Sequence, residues 1–224
     1  MKLNSVLDFT QNKGDGSDIL DKKRQIGSAS LLFSHLIGSN FLYEITARKE
    51  ITDNYESPFL FSIGTKLNAT DFYTLKLNAS KSFRIPTFND LYWLGSGNTD
   101  LKPETSKSYE LAYEFYGEDT TFKASVFRTD LKDMISEKLI SKTTPPPFPM
   151  KFNYQYQNID RANIKGFDTD FKYNFNENHT FNANYTYIKT ENEITEEELE
   201  FRPKNTINLG LSSHFGWGIS SYLS

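Results

Sequence analysis

The chain has 224 residues, no cysteine and a formal net charge of −4, with 37% hydrophobic, 15% aromatic and 24% charged residues. These values exclude a disulfide framework or thiolate metal site and a chain too poor in large apolar groups to fold. A membrane-spanning helix is excluded as well, because no window holds ~20 consecutive apolar residues. They leave one oddity: 19 Phe and 13 Tyr in a chain of low mean hydropathy.

Met1–Phe9 lacks the apolar core of ~7–15 residues that a secretory signal carries. That leaves a cytosolic protein, or a mature piece or fragment of a longer one. Weak period-2 alternation then runs over about residues 3–11 and 24–36. Residues 41–50 set Phe41, Tyr43, Ile45 and Ala47 opposite Leu42, Glu44, Thr46, Arg48 and Glu50. A weaker stretch covers 58–68. Residues 72–83 are the cleanest, with Tyr73, Leu75, Leu77 and Ala79 against Thr74, Lys76, Asn78 and Ser80. Next, Tyr109, Leu111, Tyr113 and Phe115 oppose Ser108, Glu110, Ala112 and Glu114, followed by a weak run at 120–138. Phe167, Thr169, Phe171, Tyr173 and Phe175 oppose Asp168, Asp170, Lys172 and Asn174. Residues 181–187 and 207–215 repeat the pattern, and an eleventh strand starts near Ile219. Such alternation predicts strands with two unlike faces, and no window shows a 3.6-residue period.

The connections alternate in kind. Gly38–Asn40, Asn68–Asp71, Gly117–Asp119, Asn176–Asn178 and Gly216–Gly218 have the turn chemistry of tight hairpins. Between them lie longer polar segments at 11–22, 51–57, 84–105, 140–151 (with Pro145, Pro146 and Pro147) and 191–200. The expected architecture is therefore an up-and-down antiparallel meander, with tight turns on one rim and long loops on the other.

One apolar and one polar face suit either a soluble sheet on a core or a transmembrane barrel with lipid outside and water inside. Strands in soluble sheets are usually ~5–6 residues long, whereas several here approach the ~9–11 that cross a bilayer at a tilt. Aromatics gather near strand ends (Phe41, Tyr43, Tyr73, Tyr92, Trp93, Tyr116, Tyr187, Trp217, Tyr222), as interfacial girdles do. The pattern favours an all-β transmembrane barrel, here a partial barrel of about 10–11 strands.

Ser82-Phe83-Arg84-Ile85-Pro86 with Leu91-Tyr92, followed by Asn98 and Leu101-Lys102-Pro103-Glu104 up to Tyr109-Glu110, forms a long ordered motif. It resembles a stretch of the barrels of TonB-dependent outer-membrane receptors. Phe127–Ile135 resembles that family's F-x-x-x-x-x-D-x-I strand. Tyr156-Gln157-Asn158 through Ile164-Lys165-Gly166-Phe167-Asp168 resembles its Y-x-N-x-x-x-A-x-I-x-G-x-E segment. Asp168 stands where Glu is usual, and Ala162 falls one position early. The resemblance covers roughly residues 23–215 and is nearest to the siderophore and vitamin B12 receptor type.

It implies a 22-stranded barrel filled by an N-terminal plug that contacts TonB. Residues 1–224 are then expected to be a C-terminal barrel part, with the plug domain, first strands and final strands absent. The implied function is import of a ferric siderophore or cobalamin across the outer membrane of a Gram-negative bacterium. TonB supplies the energy, and the chain has no enzymatic activity, no cofactor and no metal site. The implied partners are the outer-membrane lipid bilayer, TonB through the plug, and the ligand, with no nucleic acid.

Candidate ligand or loop residues are Arg84, Asn89, Tyr92, Trp93 and Asn98; candidate lumen or plug-facing residues are Arg48, Lys76, Glu110, Glu114, Asp168 and Asp170. Bland roles compete with each: Arg84 and Glu104 fixing the loop, Tyr92 and Trp93 as interfacial aromatics, the polar row as barrel wetting. Asp15, Asp18 and Asp21 offer hard oxygens, but no bidentate Glu stands where a calcium loop needs one. Three alternatives stay open. A passive porin needs a closed barrel with a constriction loop. A barrel-type outer-membrane enzyme needs a Ser/His/carboxylate set, for which His214 is the one histidine in a clear polar row. A soluble carbohydrate-binding β-domain needs its apolar face covered.

Overall fold

The computed structural model describes every residue except 17, 18, 20, 144–150, 199–202, 216–218 and 224. Its strands are β1 (Lys2–Gly14), β2 (Lys22–Ile37), β3 (Phe41–Thr52), β4 (Leu60–Asn68), β5 (Tyr73–Arg84) and β6 (Glu104–Tyr116). They continue as β7 (Thr120–Thr143), β8 (Lys151–Asn176), β9 (His179–Asn192), β10 (Asn205–Phe215) and β11 (Ile219–Leu223). Strands pair only with their neighbours in the chain, giving one eleven-stranded antiparallel sheet in the order β1 to β11. Among the described residues no pairing joins β1 to β11, so the sheet is an open, partial barrel wall. The connections alternate short and long as the turn chemistry predicts. The predicted turn at 216–218, the proline run and Asp18 lie outside the described residues.

The pairing register carries the alternation across the whole sheet. One row runs Leu77, Leu111, Val126, Phe167, Tyr187 and the next runs Leu75, Tyr113, Ala124, Thr169, Tyr185. These side chains have no second layer against them. Leu77 is 54% exposed, Leu111 46% and Val126 54%. Among the described residues the buried hydrophobic ones are Leu60, Leu91, Leu101 and Ala162, all on the loop side of the sheet or in its loops. A soluble sheet would cover an apolar face of this extent; here the face has the composition of a lipid-contacting surface. Directly paired on the opposite face are Thr74 with Glu114, Asn78 with Glu110, Lys123 with Asp170 and Asn184 with Asn208.

The aromatic girdle has partly different members from those expected. Phe41, Tyr43, Tyr73 and Phe115 share the outward face at the short-turn rim, where Tyr73 lies 5.3 Å from Phe115, centroid to centroid. Tyr116 faces inward, because it follows Phe115 by one residue and each step reverses the side. Its hydroxyl donates to Glu114 Oε2 at 3.0 Å. Tyr222 also faces inward, opposite Ser212. Tyr92 and Trp93 belong to a helix and its cap rather than to a strand end.

β7 and β8 reach 24 and 26 residues, well beyond what a bilayer requires. Their long upper parts rise past the other strands on the loop side and form a wall against which the 85–103 connection folds.

Candidate functional site

The connection between β5 and β6 folds around a five-residue helix, α1 (Phe88–Tyr92). Thr87 caps it: the Asp90 N–H donates to Thr87 Oγ1 at 3.1 Å, and the Thr87 N–H donates to Asp90 Oδ2 at 2.8 Å. This reciprocal pair satisfies two otherwise orphaned donors. Below the helix, Arg84 grips Glu104 with two parallel bonds, Nε to Oε1 at 2.6 Å and Nη2 to Oε2 at 3.0 Å. Arg84 Nη1 also reaches Asp90 Oδ2 at 3.5 Å, and Glu104 Oε2 accepts the Ile135 N–H at 3.0 Å. Glu104 stands at the loop rim, past the last outward apolar residue of β6, Tyr109. Burial pushes its carboxyl up, but the Arg84 bonds, the Ile135 N–H and the Arg84 charge outweigh that and hold it below the ordinary carboxylate value.

The three stretches that carry the sequence motif meet here. Asn98 Nδ2 donates to the Tyr156 carbonyl at 2.9 Å, and the Tyr156 N–H returns a bond to Ser96 O at 2.9 Å. The Lys102 N–H donates to Asn158 Oδ1 at 2.8 Å, while Asn158 Nδ2 donates to Lys102 O at 2.9 Å and Asp133 O at 2.7 Å. Asp133 has a left-handed φ of 54°, so Asn158 also secures a strained backbone position. Two glycines are sterically required. A Cβ on Gly97 would lie 2.7 Å from Trp93 N, and one on Gly166 would lie 2.0 Å from Tyr187 O. Ala162, one position off the family pattern, is fully buried.

The helix lies over the inner face toward β1 and β2. Lys22 Nζ sits 4.5 Å above the Tyr92 ring, and the Arg24 guanidinium lies 4.9 Å from Phe88 and 5.9 Å from Tyr55. Arg24 is 5% exposed, and its Nε has no hydrogen-bond partner among the described residues. Burial pushes the Tyr55 phenol above its ordinary value, and the Arg24 charge partly offsets this. Two cations and three aromatic rings thus share the loop-rim mouth. Only Tyr92 among them was singled out from the sequence. Lys22, Arg24 and Tyr55 are far away in the chain, and only the curvature of the sheet brings them to α1.

The remaining candidates are placed as follows. Arg84 and Asn98 are engaged in holding the loop. Asn89 is exposed, and its carbonyl accepts the Trp93 N–H at 3.1 Å. Trp93 is 47% exposed at the helix C-cap. On the inner wall, Lys76 Nζ meets Glu114 Oε1 at 2.7 Å and Asn78 Nδ2 meets Glu110 Oε2 at 3.2 Å. Arg48 Nε meets Glu50 Oε1 at 2.8 Å. Asp170 Oδ1 accepts Asn184 Nδ2 at 3.1 Å, and Asp168 Oδ1 accepts the Thr186 hydroxyl. The six lumen candidates are therefore satisfied mainly by neighbours in the wall. They do not converge with the loop residues into one cluster.

His214 Nδ1 lies 2.9 Å from Ser220 Oγ. No carboxylate bonds to either side chain among the described residues, so the contact is a pair without the third group that hydrolytic chemistry of this type uses.

The fold and motif geometry agree with comparisons to known proteins. Residues 37–224 match the family model described as TonB dependent receptor-like, beta-barrel. The chain belongs to this family. The vitamin B12 transporter BtuB of Photobacterium profundum is 27% identical over 182 residues, covering 78% of this chain and 28% of that protein. A probable hemoglobin and hemoglobin-haptoglobin-binding protein 1 of Haemophilus influenzae is 31% identical over 121 residues, covering 48% of this chain and 11% of that protein. The siderophore receptor PirA of Pseudomonas aeruginosa superposes with a TM-score of 0.78 at 17% identity, covering 98% of this chain and 40% of that structure. The chain thus spans less than a third of the length of these two sequence relatives.

Proposed function

We propose that the chain is barrel wall and loop scaffold of an outer-membrane receptor that imports a large, scarce ligand into a Gram-negative cell. The ligand class is a ferric siderophore or cobalamin. TonB provides the energy through a plug that lies outside residues 1–224, and the chain performs no covalent chemistry. The carrying observation is the loop-rim mouth, where Arg24 is buried between Phe88 and Tyr55 with an unused Nε–H. A buried cation beside aromatic faces suits a bulky anionic or aromatic ligand, since desolvated cations and π faces both strengthen such contacts. Membership of the receptor family supports the same reading.

Titration of the lipid-embedded chain with a ferric catecholate, cyanocobalamin and haemoglobin tests this, with quenching of Trp93 and the mouth tyrosines as readout. Saturable binding of the ferric catecholate or of cyanocobalamin, lost in Arg24→Ala, is expected, and saturable binding of haemoglobin alone would contradict this ligand class. Free permeation of small sugars through the embedded chain, with no saturable ligand, would favour the passive porin instead.

A further inference from the structure

On the outward face, immediately toward the loops from the apolar rows, the residues turn basic. Lys81 sits directly opposite Lys107 in the β5–β6 register, and Lys132 sits directly opposite Arg161 in the β7–β8 register. Directly opposed like charges in a sheet repel one another. None of these four cations has an ion pair among the described residues, whereas neighbouring Arg128 meets Asp130 at 2.8 Å and Glu193 at 3.7 Å. Together they line a groove of about 360 Å³ holding five cations against two carboxylates. A second groove of about 590 Å³ lies beside it on the membrane side, lined by Ile63, Leu77, Ala79, Leu111 and Val126, and Tyr109 and Arg128 border both.

We propose that this pair of grooves holds one phosphorylated lipid, with acyl chain on the apolar groove and phosphate among Lys81, Lys107, Lys132 and Arg161. An anion there relieves both like-charge pairs at once, and cations beside a bilayer surface gain from anionic headgroups. The continuity of the two grooves selects a lipid over a free phosphate, which has nothing to place on Leu77, Leu111 and Val126. The inference rests on the lipid-facing assignment of this surface.

The test refolds the full chain into phosphatidylcholine vesicles with and without phosphatidic acid. It compares the native sequence with the combined variant Lys81→Gln, Lys107→Gln, Lys132→Gln and Arg161→Gln. These exposed or half-buried side chains make no ion pair, and their neutralisation removes repulsion, so the variant folds. Phosphatidic acid is expected to raise the thermal midpoint of the native sequence, in a salt-sensitive manner. The variant should bind this lipid roughly tenfold or more weakly. Equal responses of the two proteins, or displacement of the lipid by equimolar inorganic phosphate, would overturn the inference while leaving the barrel assignment intact.

Discussion

Asn158→Ala isolates the contribution of the motif to the loop-rim mouth. The substitution removes three hydrogen bonds: from the Lys102 N–H at 2.8 Å, to Lys102 O at 2.9 Å and to Asp133 O at 2.7 Å. A net value of roughly 0.5–1 kcal/mol each, at the lower end because the site is only half-buried, sums to about 2 kcal/mol. That corresponds to roughly a thirtyfold change in a local opening equilibrium. The bonds join the 85–103 loop to β7 and β8 and take no part in the strand ladders. Hydrogen exchange by mass spectrometry on the lipid-embedded chain should therefore show the Lys102 amide exchanging about thirtyfold faster, with peptides of β4, β5 and β9 unchanged. Unchanged loop protection would refute the claim that the motif is an anchor. Equal loss in the loop and in β5 would show that it acts on the whole sheet.

Gly166→Ala places a Cβ 2.0 Å from the Tyr187 carbonyl oxygen. Backbone must move, and a loss of at least about 1–3 kcal/mol follows, read as a lowered thermal midpoint. The Arg84–Glu104 grip predicts a pH dependence. Because Glu104 is held below its ordinary carboxylate value when folded, its stabilisation is complete above that ordinary value. It is lost as pH falls through the lower, folded value. Loop protection should drop in that acid range, and Glu104→Gln should show weaker protection at neutral pH without that acid step. A step unchanged in Glu104→Gln would assign it to another group.

The sheet was legible because period-2 alternation is imposed wherever lipid and water face opposite sides of one strand. Leu75, Leu77, Leu111 and Val126 carry it residue by residue, and the turn residues at 38–40 and 117–119 set the connectivity. The signal fades where both faces are wet. β7 keeps weak alternation to residue 138, but 140–151 reads as a loop and the upper half of β8, around Tyr154–Gln157, lacks the pattern, so the full length of neither strand was apparent. α1 is too short for a helical period, although Thr87-Phe88-Asn89-Asp90 has the spacing of a capping box. The loop-rim mouth was only partly readable. Tyr92 lies within the motif, but Lys22, Arg24 and Tyr55 reach it through the curvature of the paired strands β2 to β5, which no local pattern records.

The central claim is that one face of this sheet meets lipid and the other meets water. The chain contains no cysteine, so single cysteines introduced along β6 carry one spin label each, and power-saturation measurements in bilayers report whether each label meets lipid or water. Labels at Tyr109→Cys, Leu111→Cys and Tyr113→Cys should be accessible to oxygen dissolved in lipid. Labels at Ser108→Cys, Glu110→Cys and Ala112→Cys should be accessible to a water-soluble nickel chelate. Water accessibility at all six positions, or no alternation between them, would contradict the account.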